Sequence, residues 1–326
     1  MEHTHGSPAG GSSPGRYRVS PAGAGRFAPS PTSELHLGNL RTALLAWLFA
    51  RADGLDFVVR IEDLDLERVR AAPHVAGHQL ADLAELGLDW DGPVLHQSER
   101  IDLYHDAARG LEGYECFCTR REIAEAASAP HDGQRAYPGT CAHLGAARRE
   151  QLRANRRPAW RVRAHGARAQ VHDRFAGTVE AQVDDFVLFR NDSRPAYNLA
   201  VVVDDAAQGI TQVTRGRDLL ASSPRQAWLA TRLGSTPPGY AHVGLVCDVS
   251  GRRLSKRHGD LTLAGLHSAG MSTREVFRLL CRSAGLPDCD GAHELLTAVR
   301  GTGLLHEPAL ARDWTVDVGR WTDRRP

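Results

Sequence analysis

The chain has 326 residues, of which 42% are hydrophobic and 24% charged, as expected of a globular protein. Lys and Arg number 40 against 39 Asp and Glu, so net charge does not indicate nucleic-acid binding, and any such contact needs a local basic patch. No apolar run reaches the roughly 20 residues of a membrane span. The chain opens without a secretory signal pattern, so we expect a cytoplasmic protein.

The first structured part of the chain is predicted to be α/β. Residues 1–23 are rich in Gly, Ser, Pro and Ala, which predicts a disordered leader. A short strand is expected at 25–28, a helix from about Gly38 with apolar residues recurring every three or four positions, and a strand at 57–61. Another helix is expected over 75–86. This order predicts a Rossmann-type, doubly wound parallel sheet.

The rest of the chain divides by composition. Residues 116–185 carry a cysteine cluster, a Pro- and Gly-containing loop and short mixed strands, which indicates an insertion between two halves of the sheet domain, 24–115 and 186–265. The apolar run 199–203 is predicted to be a buried strand. Residues 266–326 are predicted to form a short helical C-terminal region, with a helix over 273–280.

One candidate nucleotide site is the loop 29–39, between the first predicted strand and helix. Free N–H groups and the helix dipole favour anions at such a position, and Gly38 would allow close approach. His36 is the chemically distinctive side chain in this loop. A lone histidine there could equally be an ordinary loop residue.

A second candidate is the basic run 252–257, which follows a turn at 248–251. A cluster of cations is often a solvated face. The functional alternative is a mobile basic loop that neutralises charge developing at the α-phosphate of a nucleotide.

Taken together, these two segments resemble the HIGH and KMSKS signatures of class I aminoacyl-tRNA synthetases, and specifically the glutamyl/glutaminyl subgroup. The resemblance covers about residues 24–265; it includes 254–257 within the basic run and three further segments, 60–63, 97–100 and 197–205. Ser33 replaces a usual glycine, Asn39 replaces the second histidine of HIGH, and Arg253 and Arg257 replace the outer residues of KMSKS.

The resemblance implies specific roles for individual residues. His36 and Lys256 would be catalytic, and ATP, accompanied by Mg²⁺, would contact His36, Gly38, Asn39, Ser255 and Lys256. Glu62 would hold the ammonium group of glutamate, although an ion pair with Arg60 or Arg68 is the simpler alternative. The remaining glutamate-binding residues would be Arg26, Ala28, Ser30, Tyr197 and Arg215. These arginines would exclude glutamine, because a neutral amide leaves a buried guanidinium unpaired.

The cysteine cluster suits one structural Zn²⁺. Cys116, Cys118 and Cys141 would supply thiolates, and the fourth ligand could be Tyr137, His131 or His143. Three free thiols are the alternative. The spacing resembles that of a truncated branch of the family, which implies Tyr137. The other cysteines, Cys247, Cys281 and Cys289, are expected to be structural.

Little sequence follows the basic loop, so we expect no anticodon-binding region. The truncated branch is that of the glutamyl-queuosine tRNA(Asp) synthetases. The resemblance implies ATP, L-glutamate and tRNA(Asp) carrying queuosine as partners, and we expect a monomer. Phosphates of tRNA could meet the arginines of the insertion, unless these form a solvated face: Arg148, Arg149, Arg153, Arg156 and Arg157. The alternatives are a short glutamyl-tRNA synthetase that charges the 3′ end, a non-catalytic tRNA-binding paralogue, and a ligase of another acid.

Overall fold

The computed structural model describes residues 21–119, 121–123, 137–254 and 261–317. Their strands are β1 (Ala24–Phe27), β2 (Asp56–Ile61), β3 (Leu95–His96), β4 (Gly113–Cys116), β5 (Ala159–Val162), β6 (Arg168–Asp173), β7 (Gly177–Gln182), β8 (Val187–Phe189), β9 (Ile210–Gly216), β10 (Gly239–Val243), β11 (Val246–Asp248) and β12 (Trp314–Val316). Their α-helices are α1 (Leu37–Ala52), α2 (Leu66–Ala71), α3 (Val75–Glu85), α4 (Ile101–Ala108), α5 (Ala146–Arg153), α6 (Tyr197–Ala207), α7 (Ser223–Arg232), α8 (Leu263–Ser268), α9 (Thr273–Ser283) and α10 (Ala292–Val299).

A seven-stranded sheet, in the order β3-β2-β1-β9-β10-β6-β7, forms the centre of the molecule. Every neighbouring pair in it is parallel except the β6–β7 hairpin. The α/β class and the mainly parallel sheet are therefore as predicted. In such sheets, ligands bind beyond the carboxyl ends of the strands, where the chain order reverses. Here β1 lies between β2 and β9, so that point is at the carboxyl end of β1.

The segment 116–185 contributes to two different sheets. The β6–β7 hairpin extends the central sheet, with Tyr240 of β10 paired to Asp173 of β6. A separate antiparallel sheet, β4-β5-β8, lies beside the cysteine cluster. The part of 116–185 that lies outside the central sheet is therefore smaller than its composition suggests.

The predicted strand at 199–203 is wrong, because these residues lie within helix α6. All five, Leu199 to Val203, are buried. A short, continuous apolar run is compatible with a buried strand or with a buried helix, and its periodicity does not separate the two. Burial on several sides of α6, between the sheet and α7, explains why polar residues are missing from the run.

Helix α1 carries apolar side chains on most of its circumference, because other elements pack around it. Trp47, Leu44 and Leu48 are fully buried, as expected of core residues. The C-terminal helices α9 and α10 cover the side of α1 that faces away from the sheet, through Phe277, Leu280 and other apolar side chains. The predicted helix at 273–280 is confirmed, and a capping box of Ser272 and Glu275 starts it.

The C-terminal region also docks through backbone contacts. Strand β12 pairs in parallel with β11, which precedes the basic loop. Gly244 lies so close to this region that an added Cβ would be 1.9 Å from the carbonyl oxygen of Arg312. Among the described residues, no helix combines the length and apolarity that crossing a membrane requires.

Candidate active site

His36 is the N-cap of helix α1. Its Nδ1 accepts hydrogen bonds from the backbone N–H groups of Gly38 (3.1 Å) and Asn39 (3.3 Å). Because Nδ1 accepts, the proton of the neutral imidazole is on Nε2, which makes Nε2 a donor. A donor beside a helix N-terminus suits a phosphate oxygen.

Asn39 and Gly38 fix this arrangement. The Asn39 side chain accepts from the His36 backbone N–H at 3.2 Å, so the departure from the HIGH pattern completes a capping box. A Cβ on Gly38 would lie 3.0 Å from Cε1 of His36, which is tighter than normal packing allows. Glycine at this position therefore permits the capping orientation of the imidazole.

The two segments that the sequence predicts to bind nucleotide, 29–39 and 252–257, contribute to one cavity of about 370 Å³. Its lining includes His36 and Asn39 from the first motif and Arg253 and Leu254 from the second. Beyond the basic loop, Thr262 forms a β-bridge with His36. Ser255 and Lys256 lie outside the described residues. Before them, Arg253 and Leu254 line this cavity, and after them Thr262 pairs with His36.

Arg26 and Glu62 lie at the ends of the adjacent strands β1 and β2, within a buried charge cluster. Glu62 does pair with Arg60, at 3.3 Å, but the Arg60 side chain is fully buried and that of Glu62 is only 13% exposed, so this is not a surface ion pair. Asp205 pairs with Arg26 at 3.3 Å and with Arg60 at 2.8 Å. Burial raises the pKa of Glu62, and the positive charges of Arg60 and Arg26 offset this rise only partly. A further cation beside Glu62 would therefore stabilise its ionised carboxylate.

Arg215 lies near the end of β9 and is only 4% exposed. Its shortest contacts are to Gln226 Oε1 and Ser223 Oγ, both at 2.7 Å, and to His242 Nε2 at 3.0 Å. Its longest are to the Tyr197 hydroxyl (3.4 Å) and the Leu219 carbonyl (3.3 Å). The five N–H donors of a guanidinium are thus matched by five protein acceptors.

The remaining residues implied by the resemblance surround this cluster. Tyr197 is the first residue of α6 and is 41% exposed. Ala28 and Ser30 follow β1, and the intervening Pro29 accepts a hydrogen bond from the Glu62 backbone N–H at 2.9 Å. Ser30 and Pro29 also line the 370 Å³ cavity beside His36, so the two groups of residues adjoin.

Sequence reasoning missed the buried partners that hold these residues. Asp204 is fully buried and accepts hydrogen bonds from Gln97 (2.9 Å), Arg100 (2.7 Å) and Tyr104 (2.8 Å). Asp63 accepts from both the N–H and the hydroxyl of Ser98, at 2.7 Å each. Segments 60–63, 97–100 and 197–205 therefore join beneath the site as a framework. The sequence does contain a sign of these partners, because two adjacent carboxylates, Asp204 and Asp205, directly follow the apolar run 199–203.

The cysteine cluster brings together the predicted metal ligands. Cys116, Cys118 and Cys141 present sulfur atoms within 4.8 Å of one another. The Tyr137 hydroxyl lies 3.4 Å from Cys116 Sγ and 3.8 Å from Cys118 Sγ. Tetrahedral zinc with Zn–S bonds of about 2.3 Å requires sulfurs about 3.8 Å apart, and Cys118 and Cys141 are 3.5 Å apart. His143 is exposed, and His131 lies outside the described residues.

A larger cavity of about 1200 Å³ lies between this cluster and Tyr197. Arginines from several elements line it: Arg68, Arg121, Arg156, Arg157, Arg161 and Arg190. Arg153 does not belong to this lining and instead pairs with Glu115 at 2.8 Å and Glu150 at 3.0 Å. Arg148 and Arg149 likewise hydrogen-bond within the insertion, to Gln151 and to the Leu144 carbonyl.

Comparison with known proteins places the chain in a family. Residues 24–302 match the model for the catalytic domain of class I tRNA synthetases (E and Q). The glutamyl-Q tRNA(Asp) synthetase of Cutibacterium acnes is 57% identical over 277 residues, which cover 85% of this chain and 80% of that protein. The protein of the same name from Nocardia farcinica is 54% identical over 296 residues, covering 89% and 94%.

A solved glutamate–tRNA synthetase from Elizabethkingia anophelis has the same fold, with a TM-score of 0.70 at 24% identity, over 92% of this chain and 69% of that one. The family match over residues 24–302 and the sequence identity to these relatives agree with the two sequence motifs, both of which line one cavity. The chain belongs to the glutamyl-Q tRNA(Asp) synthetases, a family of tRNA-synthetase-like ligases with the class I catalytic domain.

Proposed function

We propose that this protein activates L-glutamate with ATP and transfers the glutamyl group to queuosine in the anticodon of tRNA(Asp). The observation that carries the proposal is the single cavity lined by both nucleotide motifs, beside the buried cluster of Arg26 and Glu62. The names of the relatives from Cutibacterium acnes and Nocardia farcinica support the choice of acceptor.

In the first step, a carboxylate oxygen of glutamate attacks the α-phosphorus of ATP. A carboxyl–phosphate anhydride forms, and the bond from the α-phosphorus to pyrophosphate breaks. Mg²⁺ accompanies ATP and shields its phosphates. His36 donates from Nε2 to a phosphate oxygen, and Lys256 stabilises the charge that develops at the α-phosphate. Most of the acceleration comes from positioning and neutralisation.

Lys256 is the only lysine in the chain. The remaining 39 of the 40 Lys and Arg residues are therefore arginines. An ammonium is a compact point charge, whereas guanidinium is planar and prefers two-point contacts. A single ammonium at the position that matches KMSKS supports a distinct role for this side chain.

The substrate pocket would recognise both ends of glutamate. Glu62 would bind the ammonium group, which supplies the further cation that its buried carboxylate favours. Arg26 and Arg215 would bind the carboxylates. A substrate carboxylate on Arg215 would replace the two longest contacts of the guanidinium, to Tyr197 and to the Leu219 carbonyl.

The cysteine cluster would hold one structural Zn²⁺ through Cys116, Cys118, Cys141 and Tyr137. Bound zinc would tie β4 to the segment after residue 137, both of which flank the large cavity. Burial and the neighbouring Cys116 raise the pKa of the Tyr137 hydroxyl, so its ionisation would require the charge of the metal.

In the second step, a hydroxyl of the queuosine cyclopentene ring attacks the carbonyl carbon of glutamyl-adenylate. An ester forms and AMP leaves. The large cavity borders Tyr197 and is rich in arginine, so we place the anticodon loop there, with its phosphates near Arg156 and Arg157. Arg156 also pairs with Glu122, which would compete with phosphate.

The decisive experiment is glutamate-dependent ATP–pyrophosphate exchange without tRNA, followed by transfer of labelled glutamate to tRNA(Asp). We expect exchange without tRNA, and transfer only to queuosine-containing tRNA, including tRNA whose 3′-terminal nucleotides have been removed. Label on the 3′ adenosine of tRNA(Glu) would instead make this a short glutamyl-tRNA synthetase. No exchange with any amino acid would reject the enzymatic proposal.

A further inference from the structure

A line of three buried side chains runs from the β6–β7 hairpin to the proposed substrate pocket. Asp173 Oδ2 lies 2.7 Å from His242 Nδ1, and His242 Nε2 accepts from Arg215 Nε at 3.0 Å. Asp173 is fully buried, His242 is 2% exposed and Arg215 is 4% exposed. Burial removes water as an alternative partner for these groups.

The tautomer of His242 follows from its partners. Arginine has no hydrogen-bond acceptor, so the Nε2 atom that faces Arg215 must carry a lone pair. The proton of the neutral ring is then on Nδ1, where it is donated to Asp173. Burial lowers the pKa of His242, and Asp173 offsets this only partly, which agrees with a neutral ring beside a guanidinium.

We propose that Asp173 and His242 are positioning residues for recognition of glutamate. Asp173 holds His242 in the Nδ1–H tautomer, and the Nε2 lone pair then fixes Nε of Arg215, which orients the guanidinium towards the substrate carboxylate. The inference rests on the proposed function, in which Arg215 binds that carboxylate. It assigns the hairpin, which lies within the segment read from the sequence as an insertion, a role in amino-acid selection.

The environment of Asp173 makes Asp173→Asn a sharp test. Oδ1 accepts from the backbone N–H groups of Phe175 (3.0 Å) and Ala176 (2.8 Å). Oδ2 accepts from the His242 backbone N–H at 3.0 Å as well as from Nδ1. In the variant, two backbone donors on the Oδ1 side against one on the Oδ2 side favour the amide oxygen at Oδ1 and turn the NH₂ group towards His242. A donor facing Nδ1 favours the opposite tautomer, whose Nε2–H would face Nε–H of Arg215. The hydrogen bond from Arg215 is then lost and replaced by a donor–donor contact, and Ser223 Oγ, 3.3 Å from Nε2, is the other acceptor for Nε2–H.

Two variants of His242 separate its contact with Asp173 from its contact with Arg215. The amide oxygen of His242→Gln can reach the Nε2 position and accept from Arg215. The shorter side chain of His242→Asn reaches Asp173 but not Arg215. Asp185→Asn is the matched control, because Asp185 also accepts from a side chain, Tyr114, and a backbone N–H, Ala164, but does not contact Arg215.

The measurement is KM for glutamate, KM for ATP and kcat in pyrophosphate exchange without tRNA, with melting temperatures alongside. We expect Asp173→Asn and His242→Asn to raise KM for glutamate about tenfold or more, as for loss of a charged hydrogen bond. KM for ATP should change less than about twofold, and His242→Gln should restore most of the glutamate affinity. If KM for glutamate is unchanged, or if both KM values rise together with the loss of thermal stability, the proposal is overturned.

A second readout does not depend on activity. With ¹⁵N-labelled histidine, the His242 signals, assigned by their absence from His242→Asn, should show a protonated Nδ1 in the wild type and a protonated Nε2 in Asp173→Asn. An unchanged tautomer refutes the positioning role even in an active enzyme. Wild-type protein that shows the expected tautomers but no glutamate-dependent exchange would instead reject the proposed function.

Discussion

Asp205 binds Arg26 from beneath the proposed glutamate pocket, with Oδ1 3.3 Å from Nε of the guanidinium. The same oxygen is 2.8 Å from Nη1 of Arg60. Burial would raise the pKa of Asp205, but the two guanidinium groups outweigh burial and lower it. The Asp205 carboxylate, from helix α6, therefore binds one edge of the Arg26 guanidinium and so orients its remaining N–H donors.

Asp205→Asn should destabilise the fold by about 3–5 kcal/mol, because it leaves two buried guanidinium groups with one carboxylate fewer. Urea unfolding monitored by circular dichroism measures this. The control is Asp192→Asn, whose ion pair with Arg190 is substantially exposed and should contribute no more than about 1 kcal/mol. Equal effects in both variants would mean that the buried cluster has no special role.

Lys256→Ala should abolish glutamate-dependent pyrophosphate exchange while leaving the unfolding midpoint unchanged. The ammonium of Lys256 is the charge expected to stabilise the reacting phosphate, and alanine removes it. Because no other lysine is present, an amine-selective reagent should modify only Lys256 and the amino terminus. ATP should protect Lys256 from labelling. Full exchange activity in Lys256→Ala would refute the assignment.

Replacements of His36 should separate its capping role from its proposed phosphate contact. His36→Ala removes the cap of α1 and should cost about 1 kcal/mol of stability. His36→Asn supplies another good capping acceptor, so it should be nearly as stable as the wild type, yet it lacks the Nε2 donor. Both variants should lose exchange activity. An active His36→Asn enzyme would show that capping alone explains the residue.

Metal analysis of the purified protein should find about one zinc per chain. Cys116→Ser and Cys141→Ser should lose the metal, because each removes a thiolate ligand. Tyr137→Phe should keep the three thiolates but release zinc to a chelator faster. Cys289→Ser is the control, since this buried cysteine lies in the main core, away from the cluster. A folded protein without zinc would contradict the metal site.

Stability should depend on the charge state of His242. Its pKa is lowered in the folded state, so the unfolded chain binds a proton more readily. The free energy of unfolding should thus hold steady above about pH 6.5, the ordinary pKa of histidine, and fall as the pH drops below it. His242→Gln removes this component. Urea unfolding from pH 5 to 8 should show a shallower decline in the variant, and parallel curves would exclude the effect.

Local sequence patterns predicted the elements that carry the nucleotide motifs. Strands β1 and β2 and helix α1 lie within one or two residues of their expected positions. A strand, a glycine-containing loop and a helix with regularly spaced apolar residues form a pattern that few other structures share. The N-cap at His36 is also a local interaction, which the sequence can indicate. The spacing of the cysteines predicted that Cys116, Cys118 and Cys141 lie together, and the family resemblance added Tyr137, whose hydroxyl lies beside them.

Only the tertiary structure decided the state of 199–203 and the partners of the charged residues. The apolar run lies in helix α6 and not in a buried strand, and the shortest ion pairs of the two aspartates that follow it are Asp204 with Arg100 and Asp205 with Arg60. Asp173 reaches His242 because the β6–β7 hairpin joins the central sheet next to β10. Such pairings join residues far apart in sequence, and no local propensity encodes them. The sequence by itself determined which chemical groups are available, whereas packing decided which of them are buried, paired and oriented.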